Sequence, residues 1–240
     1  MTLTLTVALV PTPTEYVTDP LRSTGVRRRR AAYDAGVETA VLVPVKAFAD
    51  AKVRLSDVLL PTERARLAEW CAGRVIAAAA GLRVAVACDD DHVATWARAN
   101  GAEVVWCPGL GLDGAVSHGL RHLADTGVDH AVVAHSDLPL AAALGALVMP
   151  NTITLVPDTV HDGTNVLCLP LDRPFETAYG RRSFGRHLER ALATGHPVRV
   201  IHHPTLALDL DVPRDLTHPL VQEVLPTWLP TNPANRSRAR

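Results

Sequence analysis

Short apolar runs recur along the chain, and polar, helix-patterned stretches separate them. Residues 40–45 form a strand-length run with no polar side chain. Residues 82–88, 103–106, 130–135, 152–156, 166–169 and 198–202 read the same way, as strands buried in a sheet. Between them, helical patterns are expected at 62–80, 92–100, 114–125, 140–147 and 183–194. Pro61, Gly81, Gly101, Gly195 and Pro197 punctuate them as starts and stops. A last short helix follows Pro213. Strands alternating with helices predict a mostly parallel sheet covered on both faces, and the crowded later strands predict a mixed part.

The pattern is weaker at both ends. Residues 1–37 read as a flexible N-terminal extension, in which 2–10 alternate threonine with leucine or valine and would suit an added edge strand. Its run Arg27–Arg30 is expected to be solvated. The regular domain spans 38–220, and 221–240 read as a loose, proline-rich tail.

Composition narrows the function. The net charge of −1 leaves no global basic field for nucleic acid. Cys71, Cys88, Cys107 and Cys168 are widely spaced, which argues against a disulfide framework and for a reducing cytoplasm. No apolar run reaches the ~20 residues that span a bilayer. Of 24 basic residues only two are lysines, Lys46 and Lys52, and both lie in the loop after the first buried strand, with Arg54 beside them. A compact ammonium suits point contact with phosphate oxygens, and strand ends of α/β sheets are where ligands bind.

Acidic residues mark two further places. Asp137 follows the fourth strand of this series, where it could serve a ligand or cap a helix. Asp209 and Asp211 stand two apart in an extended segment, which would aim both carboxylates one way, with Leu208 and Leu210 turned inward. Such a pair suits a hard cation such as Mg²⁺ with phosphates, or else a solvated acidic turn. The glycine-rich 109–114 loop precedes a helix and could offer amides to a base or phosphate. Residues 162–165, Asp-Gly-Thr-Asn, have the composition of a hairpin turn. Residues 179–187 gather Arg181, Arg182, Arg186, Ser183 and His187 at a helix start, which fits a small anion or a plain basic face.

Taken in order, Val-Pro-Val-Lys46, Ala-Lys52-x-Arg54-Leu, Gly111-Leu-Asp-Gly, Asp137-Leu-Pro-Leu, Pro157-Asp158, Gly163-Thr-Asn165, Ser183-Phe-x-x-His187 and Leu208-Asp-Leu-Asp-Val-Pro213 resemble the CofC/FbiD family over residues 39–220. These are 2-phospho-L-lactate or phosphoenolpyruvate guanylyltransferases of deazaflavin coenzyme (factor 420) biosynthesis. The resemblance implies an α/β single-domain nucleotidyltransferase fold of GT-A type. It implies GTP and a small phosphorylated carboxylic acid as substrates, and a downstream transferase that takes the product. It assigns Lys46, Lys52 and Arg54, with Gly111 and Asp113, to the nucleotide. It assigns Asp137, Asp209 and Asp211 to Mg²⁺ (or Mn²⁺), and Thr164, Asn165, Gly180 and Ser183 to the acid. Lys46, Lys52 and Asp137 would be catalytic. The chain departs from the usual pattern at Asp113, where the family commonly has Asn, and at Thr159, where it often has Arg. Phosphoenolpyruvate, or else 2-phospho-L-lactate, is the acid expected here. A related nucleotidyltransferase with 3-phosphoglycerate or a different nucleotide, such as a molybdopterin dinucleotide synthase, and a non-enzymatic nucleotide-binding module are the other readings.

Overall fold

The computed structural model describes residues 5–9 and 36–229. Its centre is an eight-stranded sheet in the order β1-β8-β6-β7-β5-β2-β3-β4. The strands are β1 (Leu5–Leu9), β2 (Thr39–Pro44), β3 (Arg83–Cys88), β4 (Glu103–Trp106), β5 (His130–Ala134), β6 (Ile153–Pro157), β7 (Thr164–Pro170) and β8 (Val198–His202). Only β7 runs against its neighbours, and all other pairings are parallel. This is the mostly parallel, mixed sheet expected. β1 is the expected edge strand, beside β8. The Arg27–Arg30 run lies outside the described residues.

Alternation along β2 shows why both faces need cover. Val41 and Val43 face one core, and Ala40 and Leu42 face the other, all fully buried. Helices α1 (Pro61–Ala78) and α2 (Asp91–Ala99) cover the first face. Helices α3 (Gly111–Asp125) and α4 (Ser183–Ala193) cover the second. Proline at the first position of α1 and the Leu60 N–H held by Glu63 Oε2 at 2.8 Å fix where that helix starts. α2 starts at Asp90, whose carboxylate takes the Val93 N–H. α3 lies against the sheet because position 119 has no side chain. A Cβ on Gly119 would come within 2.6 Å of Leu42 Cδ1.

Two expectations fail. Residues 140–147 are not an α-helix but a loop ending in one 3₁₀ turn, Leu144–Leu147. Within this stretch the buried positions are Ala141, Leu144 and Leu147, a spacing of three that matches 3₁₀ rather than 3.6-residue geometry. Ala143 also adopts left-handed backbone, which an α-helix does not admit. The tail read as loose from 221 is packed as far as 229. Helix α5 (Pro219–Gln222) buries Val221, and Leu229 is buried with Leu55, Leu59, Leu67 and Leu210 in a satellite core. Trp228 also takes the Arg66 guanidinium over its ring at 4.3 Å. Among the described residues no helix is long and apolar enough to cross a membrane.

Candidate active site

The parallel strands β2, β3 and β5 end at one edge of the sheet, and there lies a cleft of about 830 Å³. Its lining comes from Lys46, Lys52 and Arg54 after β2, Asp89 after β3, His135 and Asp137 after β5, Gly111 from the start of α3, and Asp211. Lysine loop and acidic strand end, far apart in sequence, therefore meet.

The lysine loop holds its shape with two single 3₁₀ turns, Phe48–Asp50 and Val53–Leu55. Phe48 anchors it, edge-on to Trp96 at 5.1 Å. Lys52 links the turns in left-handed backbone, φ 56°, a conformation uncommon for a side chain of this length. It carries Lys52 Nζ to 3.2 Å from Asp137 Oδ2 with only 6% of the side chain exposed. Burial pulls the Lys52 pKa down, but Asp137, with Cys71 and Asp211 behind it, outweighs burial and the ammonium stays above its ordinary value. Burial likewise pushes the Asp137 carboxyl up. Lys52, and then His135, overcome this and hold it below the usual carboxylate range. Lys46 is exposed in the cleft and has no charged partner among the described residues. Arg54 reaches Asp211 at 2.6 Å across exposed ground.

The Asp209–Asp211 segment is fastened to the same place, because the Leu210 N–H donates to the Asp137 carbonyl at 3.0 Å. Leu210 points into the satellite core as expected, and Asp211 lines the cleft. Asp209 does not line it, but it feels Asp137. Burial first, then the Asp137 charge, push its carboxyl up to about 6. The three aspartates are neighbours without forming a finished cage, and among the described residues no group of three acidic, histidine or cysteine side chains is arranged to hold a metal ion. Lys52 and Arg54 supply the cations instead. The donor set still fits a hard divalent ion: all oxygens, an Asp209 carboxyl pushed up by burial and by the neighbouring Asp137 charge, and a buried Asp137 Oδ1 with no hydrogen-bond donor.

A second group sits beside the cleft, where β7 starts next to the end of β5. The His135 N–H donates to the Asn165 carbonyl at 3.0 Å across that junction. Thr164, Asn165, Ser183 and His187 are all buried. His187 Nε2 accepts the Ala178 N–H at 2.8 Å, so the ring proton is on Nδ1 and is donated to Thr164 Oγ1 at 2.9 Å. Burial lowers the His187 pKa to about 4, so the ring is neutral. The Thr164 N–H in turn donates to Ser183 Oγ at 3.2 Å. Both hydroxyl oxygens thus accept, and neither hydroxyl proton has an acceptor among the described residues. Gly180, at φ 96°, turns the chain into α4, and its carbonyl takes the Ser183 N–H at 3.0 Å. Asn165 Nδ2 donates to the Leu206 carbonyl at 3.0 Å. The 158–163 turn is closed by Asp158, which accepts N–H groups from Val160, Asp162 and Gly163.

Of the residues singled out for the nucleotide, Asp113 is turned elsewhere. Its carboxylate accepts the Tyr179 N–H at 2.8 Å and so ties α3 to the loop that carries Gly180. Sequence reasoning gave no role to His135, Tyr179 or Asp158. A histidine two residues before the strand-end aspartate was the available sign of the first.

The description "Guanylyl transferase CofC like" belongs to the family model that matches residues 39–222. A phosphoenolpyruvate guanylyltransferase of Rubrobacter xylanophilus is 38% identical over 184 residues, 73% of this chain and 90% of the relative. A 3-phospho-D-glycerate guanylyltransferase of Phenylobacterium zucineum is 31% identical over 187 residues, 72% and 86% of the two. Among solved structures, a Desulfovibrio desulfuricans protein assigned to the nucleotide-diphospho-sugar transferases superposes with a TM-score of 0.64 at 16% identity, covering 84% of this chain and 94% of its own. A 4-diphosphocytidyl-2C-methyl-D-erythritol synthase does so at 0.54 and 14%, covering 79% and 98%. These likenesses match the fold of nucleotidyltransferases, and by the extent of the family match the chain belongs to the CofC-like guanylyl transferases.

Proposed function

We propose that this enzyme joins GTP to a small phosphorylated carboxylic acid, phosphoenolpyruvate, and releases pyrophosphate. One observation carries the reading. A cationic loop bearing Lys46, Lys52 and Arg54 meets the strand-end aspartate, Asp137, in the cleft, and a buried, neutral hydroxyl pair, Thr164 and Ser183, lies beside it where β7 starts next to the end of β5. Such a pairing suits a polyphosphate and a phosphomonoester brought together.

In this reading Lys46 and Arg54 meet the outer phosphates of GTP. Lys52 moves from Asp137 to the phosphates, where a point charge serves best. The Thr164 and Ser183 hydroxyls and the amides near Gly180 hold the phosphate of the acid. An oxygen of that phosphate attacks the α-phosphorus in line, a new P–O bond forms, and the bond to the bridging oxygen breaks as pyrophosphate leaves. A phosphomonoester is already anionic near neutral pH, so no protein nucleophile or strong base is required. Catalysis is then positioning and charge neutralisation. Asp137, Asp209 and Asp211 would hold a divalent cation, Mg²⁺ or Mn²⁺, which supplies neutralisation of the polyphosphate when bound. Phosphoenolpyruvate is favoured because 3-phosphoglycerate brings an extra hydroxyl that needs a partner in the pocket. The 38% relative bears the phosphoenolpyruvate name. The product would feed a downstream transferase in deazaflavin coenzyme synthesis.

The test is pyrophosphate release with GTP against ATP and CTP, and with phosphoenolpyruvate, 2-phospholactate and 3-phosphoglycerate in turn. GTP with phosphoenolpyruvate is expected to give the highest kcat/KM. A preference above about tenfold, ~1.4 kcal/mol, for another acid overturns the substrate. No release with any pair overturns the reaction.

A further inference from the structure

Two side-chain atoms at the floor of the cleft are buried without a hydrogen-bond partner, Nε2 of His135 and Oδ1 of Asp137. One belongs to a ring that can donate a proton, the other to an ionised group that can only accept. Leaving either unpaired in a low-dielectric site costs free energy, so two such neighbours with opposite needs call for an explanation. The residues stand two apart at the exit from β5, line the same cleft and act on each other's charge.

The His135 ring is braced. The backbone N–H of His135 is held by the Asn165 carbonyl, and the ring lies tilted against Tyr179 with ring centroids 5.0 Å apart. Tyr179 is held in turn by Asp113 through its N–H and packs edge-on to His187 at 4.8 Å. Asp137 is the partner free to adjust, because Lys52 is the side chain that holds its carboxylate, and only through Oδ2.

We propose that His135 is a positioning residue for Asp137. Its Nε2–H donates to Oδ1 when Lys52 leaves Oδ2 for the nucleotide, and so fixes the carboxylate with Oδ2 directed at a divalent cation. Partners of this kind orient metal-binding carboxylates and typically govern affinity by 10–100-fold. The inference rests on the reading of Asp137 as a cation ligand given above. It also gives Asp113 a purpose, since that carboxylate secures the tyrosine that braces His135.

The experiment is titration of the protein with Mn²⁺ in the presence of GTP and no acid, read by electron paramagnetic resonance of the free ion. His135→Ala is expected to weaken Mn²⁺ binding about tenfold. His135→Gln, whose amide nitrogen reaches the Nε2 position, is expected to stay within about threefold of wild type. His135→Asn keeps a polar side chain of smaller reach, approaching Nδ1 rather than Nε2. It should be as weak as the alanine variant and replaces it if alanine fails to fold. GTP affinity without metal should not change in any of them. Equal Mn²⁺ affinity in wild type, alanine and asparagine variants overturns the proposal, as does a glutamine variant no better than alanine. Wild-type protein that binds Mn²⁺ with GTP but releases no pyrophosphate with any acid overturns the reaction and leaves the role of His135 standing.

Discussion

The lysine wall of the cleft and the hydroxyl wall that lies beside it hold their polar groups in opposite ways. On the lysine side the groups are ionised and paired with each other: Lys52 with Asp137, Arg54 with Asp211. On the hydroxyl side Thr164, Ser183 and His187 are neutral, buried and linked in one chain of hydrogen bonds. The first wall must exchange partners to receive a ligand, because Lys52 or Arg54 on meeting a phosphate leaves a carboxylate behind. The second exchanges nothing, since its hydroxyl protons are already free. A charged ligand with its own counter-ion suits the first, and a small ligand that must be placed accurately suits the second.

This contrast can be broken most severely at Asp137. Asp137→Asn removes the charge that both Lys52 and the cation need. Turnover in the pyrophosphate assay is expected to fall on the order of 10³-fold. Activity within tenfold of wild type would mean that the paired wall does not carry the chemistry. Lys52 and Lys46 provide a sharper cut. Lys52→Ala leaves Asp137 buried and unpaired, so it should cost about 3 kcal/mol in urea unfolding as well as GTP affinity. Lys46→Ala should lose GTP affinity alone, and Lys52→Arg should be a partial rescue.

Asp209 tests the same wall by pH. Its folded pKa, about 6, lies above the ordinary 3.8. The folded state therefore favours the protonated form. The associated stability is full below about pH 4 and is lost as pH rises through 6. In EDTA, Asp209→Asn should remove this loss and raise unfolding stability at pH 7, by at most about 3 kcal/mol, with little gain at pH 4. A gain equal at both pH values would break the assignment. The smallest effect belongs to the hydroxyl wall. Ser183→Ala should raise KM for the acid about tenfold, ~1.4 kcal/mol, with GTP affinity unchanged, since it removes one neutral donor. Loss of GTP affinity there would show that the walls are not separate.

The sequence made the sheet legible because strands buried on both faces leave uninterrupted apolar runs, as at 40–45 and 130–134. It made the charged wall legible because two lysines in an arginine chain stand out. It misled at 140–147, where alanine and leucine favour a helix but burial repeats every third residue. Asp113 was misleading for another reason. A carboxylate at the start of α3 reads as ligand-facing, and nothing local reveals that its acceptor is taken by the Tyr179 N–H, 66 residues away. His135 escaped notice because its meaning depends on a neighbour's unpaired oxygen, which only folding creates.

The single reversed strand, β7, has a consequence for how such an enzyme can change. All other strands meet the cleft with their carboxyl ends or stay away from it, whereas β7 arrives with its beginning, so Thr164 and Asn165 follow directly on the 158–163 turn. The parts proposed to grip the acid therefore lie in one continuous length of chain from Asp158 to His187, and the lysine loop is more than a hundred residues upstream. Exchange of that length between relatives would transplant the choice of acid as a cassette and leave the nucleotide half with its own ancestry.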